Sequence, residues 1–390
     1  GVKGISLFVV PKFMVNADGS VGARNDVHCV SIEHKLGIKA SPTAVLQFGD
    51  HGGAAGYLVG EENRGLEYMF IMMNAARYAV GVQGIAIAER AYQQAVGYAK
   101  DRTQSRPVDG SVKASVAIIH HPDVRRMLMT MRAQIEAQRA LSYYTATALD
   151  RASTHPNPEE KARNQALVNF LIPIVKGWNT EQANEITSLG VQVHGGMGFI
   201  EETGAAQYYR DARITASYEG TTGIQALDLI GRKLASEKGV TAAAVLAEVK
   251  ATVAKLAAAG SDFASLKANL EAGIAQAEAC VNFVLEAFGT QPRLPAAGSV
   301  PFLKLMGILL GGWQLARGAL IAQAKLGEDG ADTDFYTAKI VTARFYGEHL
   351  LPQISGLAVA ILGGAASVLA LADAQFYERV QSLRDSGEPA

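Results

Sequence analysis

The chain has 390 residues, 49% hydrophobic and 19% charged, with a net charge of −1 and a pI near 6.8. That length accommodates two or three domains with sizeable cores, the alanine-rich, aromatic-poor composition favours helices, and the near-neutral balance argues against a nucleic-acid partner bound by phosphate neutralisation. Cys29 and Cys280 are too few and too far apart for a disulfide framework or a cysteine metal site, which suits a reducing compartment and a cytoplasmic location.

Residues 1–60 read as β. Ile5-Ser6-Leu7-Phe8-Val9-Val10-Pro11 and Ala44-Val45-Leu46-Gln47-Phe48 are short apolar runs bounded by turn residues. Strand-like sequence begins at once after Gly1, and no signal or transit peptide is visible. His28, His34 and His51 lack metal-ligand spacing.

From Leu66 the apolar period becomes helical. Met69, Met72, Met73, Ala76, Val80, Ile87 and Ala91 predict a helix to about Lys100, with the methionines as core. Arg77 on this helix reads, from spacing alone, as a salt-bridging residue. Pro122 is placed to start a second long helix, over Asp123–Ala152, and its position with the local spacing argues against a metal site at His120, His121 and Asp123. The turn Thr154-His155-Pro156-Asn157-Pro158 separates it from a third, which starts near Glu159 and reaches toward His194; Pro173 is expected to kink or break it.

Gln192-Val193-His194-Gly195-Gly196-Met197-Gly198 places glycines at that helix end, where backbone can approach a ligand or simply cap the helix. Further on, Tyr218-Glu219-Gly220-Thr221 sets a carboxylate beside turn residues just before the amphipathic run Ile224, Leu227, Leu229, Ile230. Such a helix start offers free N–H groups to a phosphate or a carbonyl; equally, Glu219 is a first-turn acid that suits the helix dipole. Beyond Lys233, Thr241–Ala258 reads as a solvent-facing helix and linker, followed by helices over Phe263–Phe288, Pro301–Leu326, Thr333–Leu350 and Ile354–Phe376. The uncharged run Gln353–Ala372, with Gly356, Gly363 and Gly364, reads as a buried helix packed closely on its neighbours rather than as a membrane span.

The octapeptide Tyr218–Gln225, preceded by Arg210-Asp211-Ala212-Arg213-Ile214, resembles the C-terminal signature of the acyl-CoA dehydrogenase family. Similar blocks run in the family's order from Gly1 to about Lys233, including Glu33-His34-Lys35-Leu36-Gly37-Ile38-Lys39 and Tyr57–Leu66. Ser105-Arg106, Ile118–Leu128 and the long C-terminal appendage are similar to the large subgroup that includes 3-methylthiopropionyl-CoA dehydrogenase.

The resemblance implies a mainly α chain with a small β part, in three stretches. These are 1–62, the second half of a barrel-like middle β-domain; 63–236, a catalytic four-helix bundle; and 237–390, an extra helical domain. An N-terminal helical domain and half of the β-domain would precede Gly1. It further implies FAD-dependent α,β-dehydrogenation of an acyl-CoA thioester, 3-methylthiopropionyl-CoA or a fatty acyl-CoA, to the trans-2-enoyl-CoA.

Glu219 would be the base that removes the α-proton, and neither Asn74 nor Ala75 offers a rival carboxylate. The Glu219 N–H would help stabilise the enolate-like oxygen, and water exclusion would strengthen the carboxylate as a base. Arg77, Asn74 and Gly220 would serve the CoA substrate, with Asn74 standing where the family usually has an acid. Arg102, Gln192, Gly195, Gly196, Thr221 and Gln225 would hold FAD, Arg102 and the glycine block reaching the partner subunit's cofactor. A homodimer or dimer of dimers and an electron-transfer flavoprotein are the implied partners. Two alternatives stay open: a flavoprotein of this fold without dehydrogenase turnover, like the alkylation-response member, and a non-catalytic helical subunit.

Overall fold

The computed structural model describes residues 1–376. Its β part consists of antiparallel pairs: β1 (Leu7–Val9) with β6 (Tyr57–Val59), β2 (Phe13–Val15) with β3 (Val21–Arg24), and β4 (Val27–Ile32) with β5 (Ala44–Phe48). Asn25 ties them together, its buried amide donating to the carbonyls of Pro11 and Ala55 at 2.9 and 2.8 Å. Val15, Val30 and Ile32 point outward and are exposed.

From Gly65 onward the described residues are helical or connecting, apart from an isolated antiparallel bridge between Thr103 and Ala117, as the change of apolar period predicts. Three long helices come first: α1 (Gly65–Asp101), α2 (Pro122–Thr154) and α3 (Pro158–His194). Pro122 and Pro158 both occupy first-turn positions, where no N–H is required, and the Asn157 side chain caps α3 by accepting from Glu159 N–H at 2.8 Å. α1 and α3 lie side by side and run the same way: Gly81 meets Val175, Gly84 meets Asn179, and the Tyr98 ring stacks on His194.

α3 continues unbroken through Pro173, so the expected break is absent. The surroundings explain this: every residue from Phe170 to Thr180 is buried, and packing on all sides outweighs the loss of one helical hydrogen bond.

The chain then passes through α4 (Ala205–Ala212) and α5 (Thr222–Leu227), followed by a π-helical stretch over Asp228–Ala235. The C-terminal part comprises α6 (Val240–Ala258), α7 (Ala264–Ala287), α8 (Arg293–Ala297), α9 (Ser299–Leu326), α10 (Thr333–His349), α11 (Gln353–Gly363) and α12 (Ala365–Val368). One apolar core runs through both parts, from Ala133, Phe170 and Trp178 to Val249, Leu309, Tyr346 and Ile361.

Two further expectations are corrected here. α6 is no solvent-facing linker: Val245, Leu246, Val249, Val253 and Leu256 form a buried stripe, and Thr252 accepts a 2.8 Å bond from the Trp313 indole. The run Gln353–Ala372 is not one buried helix. It divides at Gly363-Gly364, it buries only Ile354, Ala358, Ile361 and Ala365, and a Cβ at Gly356 or Gly363 would touch nothing.

The close-packed glycines lie on α9 instead. Trp178 of α3 fills a notch over Gly307 and Gly311, where a Cβ on Gly311 would come within 2.6 Å of the indole Cη2 and one on Gly307 would overlap Cγ. Among the described residues α1 and α9 are long and apolar enough to cross a membrane; the most apolar window of α9 is 78% buried within the protein and that of α1 is 28% buried.

The notch yields a paired test on one helix. Gly307→Ala forces a methyl into a rigid ring and should cost at least the roughly 1–3 kcal/mol typical of overpacking. Gly318→Ala, at an exposed position with open space around it, should be neutral or stabilise by up to about 1 kcal/mol through helix propensity. Denaturant unfolding of both variants measures the difference, and equal stabilities would show that the notch is not tight.

Candidate functional site

The turn before α5 is built from two consecutive left-handed residues, Glu219 with φ 54° and Gly220 with φ 93°. For a glutamate this conformation costs about 1–2 kcal/mol, so the surroundings must hold it. They do so through the flanking residues. The Tyr218 hydroxyl donates to Gln83 Oε1 on α1. From α3, Lys176 Nζ donates to the Gly220 carbonyl at 2.7 Å, and Glu181 accepts from the Thr222 hydroxyl at 2.5 Å.

Within the segment itself, Thr221 caps α5 by accepting from Ile224 N–H, and Gln225 Nε2 lies 3.3 and 3.4 Å from the Glu219 and Gly220 carbonyls. Every hydrogen bond made at Glu219 among the described residues goes through its backbone, and its half-buried carboxylate makes none. Gln225 is fully buried and its Oε1 has no partner, a second polar atom awaiting one.

Beneath the turn lies a buried ionic group. Lys176 is 0% exposed, and burial pushes its ammonium down to about 8; Arg77 adds to that depression, while Glu181 and Glu219 oppose it. Arg77 is itself buried, 3.4 Å from Asp228, which also accepts from Arg232 at 2.6 Å. The π-helical stretch carries Asp228 to that position. Asn74 is half-buried one turn before Arg77.

The remaining candidate residues are elsewhere. Arg102 ends α1, twenty-five positions beyond Arg77, so the two are separated by about 37 Å at 1.5 Å per helical residue. Because α1 and α3 are parallel, Gln192, Gly195 and Gly196 at the end of α3 occupy the same end of the bundle as Arg102, joined by the Tyr98–His194 stack at 4.4 Å. All four are exposed. Gly195 takes φ 60°, and a Cβ on either glycine would meet nothing, so their peptide groups are uncovered. An exposed guanidinium, an amide and bare peptide groups suit the diphosphate and adenosine of a dinucleotide.

The β part reaches the site through the β4–β5 connection. Ile38 N–H donates to Asp211 Oδ1 at 2.6 Å, and Gly37 lies so close to the Arg210 carbonyl that a side chain could not fit. Behind it is a cavity of 480 Å³ lined by Lys35, Leu36, Ile38, Arg213 and Tyr218 among others, next to Glu219 in sequence.

The structure thus gathers Glu219, Gly220, Thr221, Gln225 and Arg77 into one region, with Asn74 near it, and Arg102, Gln192, Gly195 and Gly196 into another. Sequence reasoning did not find Lys176, Gln83 or Glu181. Lys176 had a signal: it is a charged residue inside the otherwise apolar Phe170–Trp178 run.

Two family descriptions match: acyl-CoA dehydrogenase, C-terminal domain, over residues 63–235, and acetyl-CoA dehydrogenase C-terminal like, over residues 245–372. The chain is 53% identical over 355 residues to a 3-methylmercaptopropionyl-CoA dehydrogenase of Ruegeria pomeroyi, covering 91% of this chain and 60% of that protein. It is 39% identical over 368 residues to a broad-specificity linear acyl-CoA dehydrogenase of Mycobacterium tuberculosis, again covering 91% and 60%. Among solved structures, an acyl-CoA dehydrogenase complexed with FAD from Bacillus anthracis shares the fold, with a TM-score of 0.68 at 22% identity, covering 99% of this chain and 64% of that one. The chain therefore spans about 60% of the length of the curated relatives it matches. With the bundle, the helices after it and the glutamate turn all matched in order, the chain belongs to the acyl-CoA dehydrogenase family.

Proposed function

We propose that the chain carries the catalytic base and much of the cofactor and substrate contacts of an FAD-dependent acyl-CoA dehydrogenase that converts an acyl-CoA thioester to its trans-2-enoyl-CoA. The observation that carries this reading is the Glu219 turn: its neighbours Tyr218, Gly220 and Thr222 are fastened to α1 and α3, while the Glu219 carboxylate is spared from those bonds. An α-proton of a thioester is a weak acid, and a base that removes it must be held in place and partly screened from water.

In this reading Glu219 takes the α-proton onto its carboxylate, and its own N–H, two residues before the Thr221 cap of α5, would donate to the thioester oxygen as negative charge develops there. Bound FAD supplies the two-electron oxidant for the hydride that leaves the β-carbon. Arg102, Gln192, Gly195 and Gly196 would hold the distal end of that cofactor, and Thr221 and Gln225 the end near the base; the unpartnered Gln225 Oε1 suits such a contact.

Arg77, Asn74 and Gly220 belong on the CoA side. Arg77 is engaged with Asp228, so its part is to shape that wall unless substrate draws it away. The name of the Ruegeria pomeroyi relative, at 53% identity, supports 3-methylthiopropionyl-CoA as the first acyl group to try, with linear acyl-CoAs next. The proposal includes a homodimer or dimer of dimers in which Arg102 and the glycine block serve the neighbouring subunit's site, an electron-transfer flavoprotein as electron acceptor, the domain limits 1–62, 63–236 and 237–390, and a cytoplasmic protein without a membrane span.

Glu219→Gln is isosteric and cannot take a proton. In the full-length protein it should leave flavin content unchanged and lower turnover of 3-methylthiopropionyl-CoA and butyryl-CoA by at least the roughly 10²–10⁴ expected for loss of a general base. Retention of a large share of the wild-type rate would remove Glu219 from that role. Turnover by the wild type also separates this reading from a flavoprotein without dehydrogenation.

Arg102→Ala removes a cation proposed to face a diphosphate, so it should weaken flavin retention more than chemistry. After gel filtration the variant should lose visible flavin absorbance and regain rate when FAD is added. Undiminished flavin through dilution would dissociate Arg102 from the cofactor.

A further inference from the structure

Lys176 is fully buried and forms no ion pair among the described residues; its hydrogen bond goes to the carbonyl of Gly220 instead. A buried lysine is costly unless something is gained by keeping it, and a purely structural one is ordinarily matched by a carboxylate at contact distance. Here the ammonium is aimed at the backbone of the residue after Glu219, from a helix that packing holds on all sides.

Among the described residues the Gly220 carbonyl otherwise has only the longer 3.4 Å approach of Gln225. Lys176 is therefore the short link between that carbonyl and α3. It can donate whether protonated or neutral.

We propose that Lys176 is a positioning residue for the Glu219 base: it locks the left-handed Glu219-Gly220 turn by binding the Gly220 carbonyl. The proposal rests on Glu219 being the base. The groups that face Lys176 are Arg77 from α1, Glu181 from its own helix and Glu219 from the turn; Asp228 from the π-helical stretch lies behind Arg77, which it pairs. Arg77 and Lys176 are like charges, so removing Lys176 relieves their repulsion, but Arg77 keeps its partner Asp228 and should stay in place.

The test uses the full-length, flavin-loaded enzyme with butyryl-CoA and a dye acceptor, comparing Lys176→Met, Lys176→Gln and Glu219→Gln. Lys176→Met keeps bulk and loses the donor; it should retain flavin and KM and lower kcat by about 10- to 100-fold, as for a base displaced by an ångström or less. Lys176→Gln restores an N–H donor, so it should recover part of kcat. Wild-type kcat in Lys176→Met, no recovery in Lys176→Gln, or a raised KM with kcat unchanged would overturn the proposal.

An inactive Glu219→Gln in the same assay shows that the base assignment survives such a result. An active one brings down the base assignment and this inference with it. Failure of both lysine variants to fold would assign Lys176 to the core alone and equally overturn the positioning role.

Discussion

The middle of α3 is enclosed on every side, and the rest of the molecule is arranged around that enclosure. Over the stretch from Phe170 to Thr180 one helix serves separate neighbours with separate faces. Trp178 enters the glycine notch of α9, Val175 and Asn179 meet the glycines of α1, and Lys176 reaches the turn before α5. A helix so confined cannot rotate or slide without opening voids in several interfaces at once. The seat of the Glu219 turn is therefore as rigid as the core, although the turn itself lies at the surface of the bundle.

Such rigidity bears on the conformation that Glu219 adopts. A left-handed glutamate next to a left-handed glycine would relax in an isolated peptide. Here the tethers act on Tyr218, Gly220 and Thr222, on both sides of the glutamate and from two helices. The side chain needs no bond of its own to be oriented. Holding the turn through its neighbours keeps the proposed base ordered while leaving its carboxylate available.

Much of this was legible in the sequence wherever the signal is local. Pro122 at a helix start, the Thr154–Pro158 turn, the change of period at Leu66 and the turn residues around Glu219 each act within a few positions, and the helix limits follow them closely. What was misread depends on partners distant in the chain. Pro173 is tolerated because of what surrounds it. The buried face of α6 exists because α7 and α9 pack against it, α9 with Trp313 bonded to Thr252. The glycines that pack closely are those of α9 rather than α11, and nothing in either run distinguishes them until Trp178 is in place. The site followed the same rule: the Glu219 turn has its own motif, whereas the Arg77–Asp228 pair joins residues 151 positions apart and Lys176 has meaning only once Gly220 stands above it.

The parallel course of α1 and α3 has a consequence for how the chain can change in length. Arg77 and Arg102 are carried by one continuous helix, so a single-residue insertion or deletion between them would turn one end of that helix by about 100° relative to the other. The compensating change in α3 would have to occur in the same interval, between Lys176 and His194, to keep Tyr98 against His194. Indels in this part of the bundle should thus be tolerated only as matched pairs or whole-turn steps, while the surface connections at Gly260 and Gly330, where a Cβ would meet nothing, can vary freely. The two helices act as a pair of rulers of fixed phase, and the spacing between the two ends of the site is written in residues rather than in contacts.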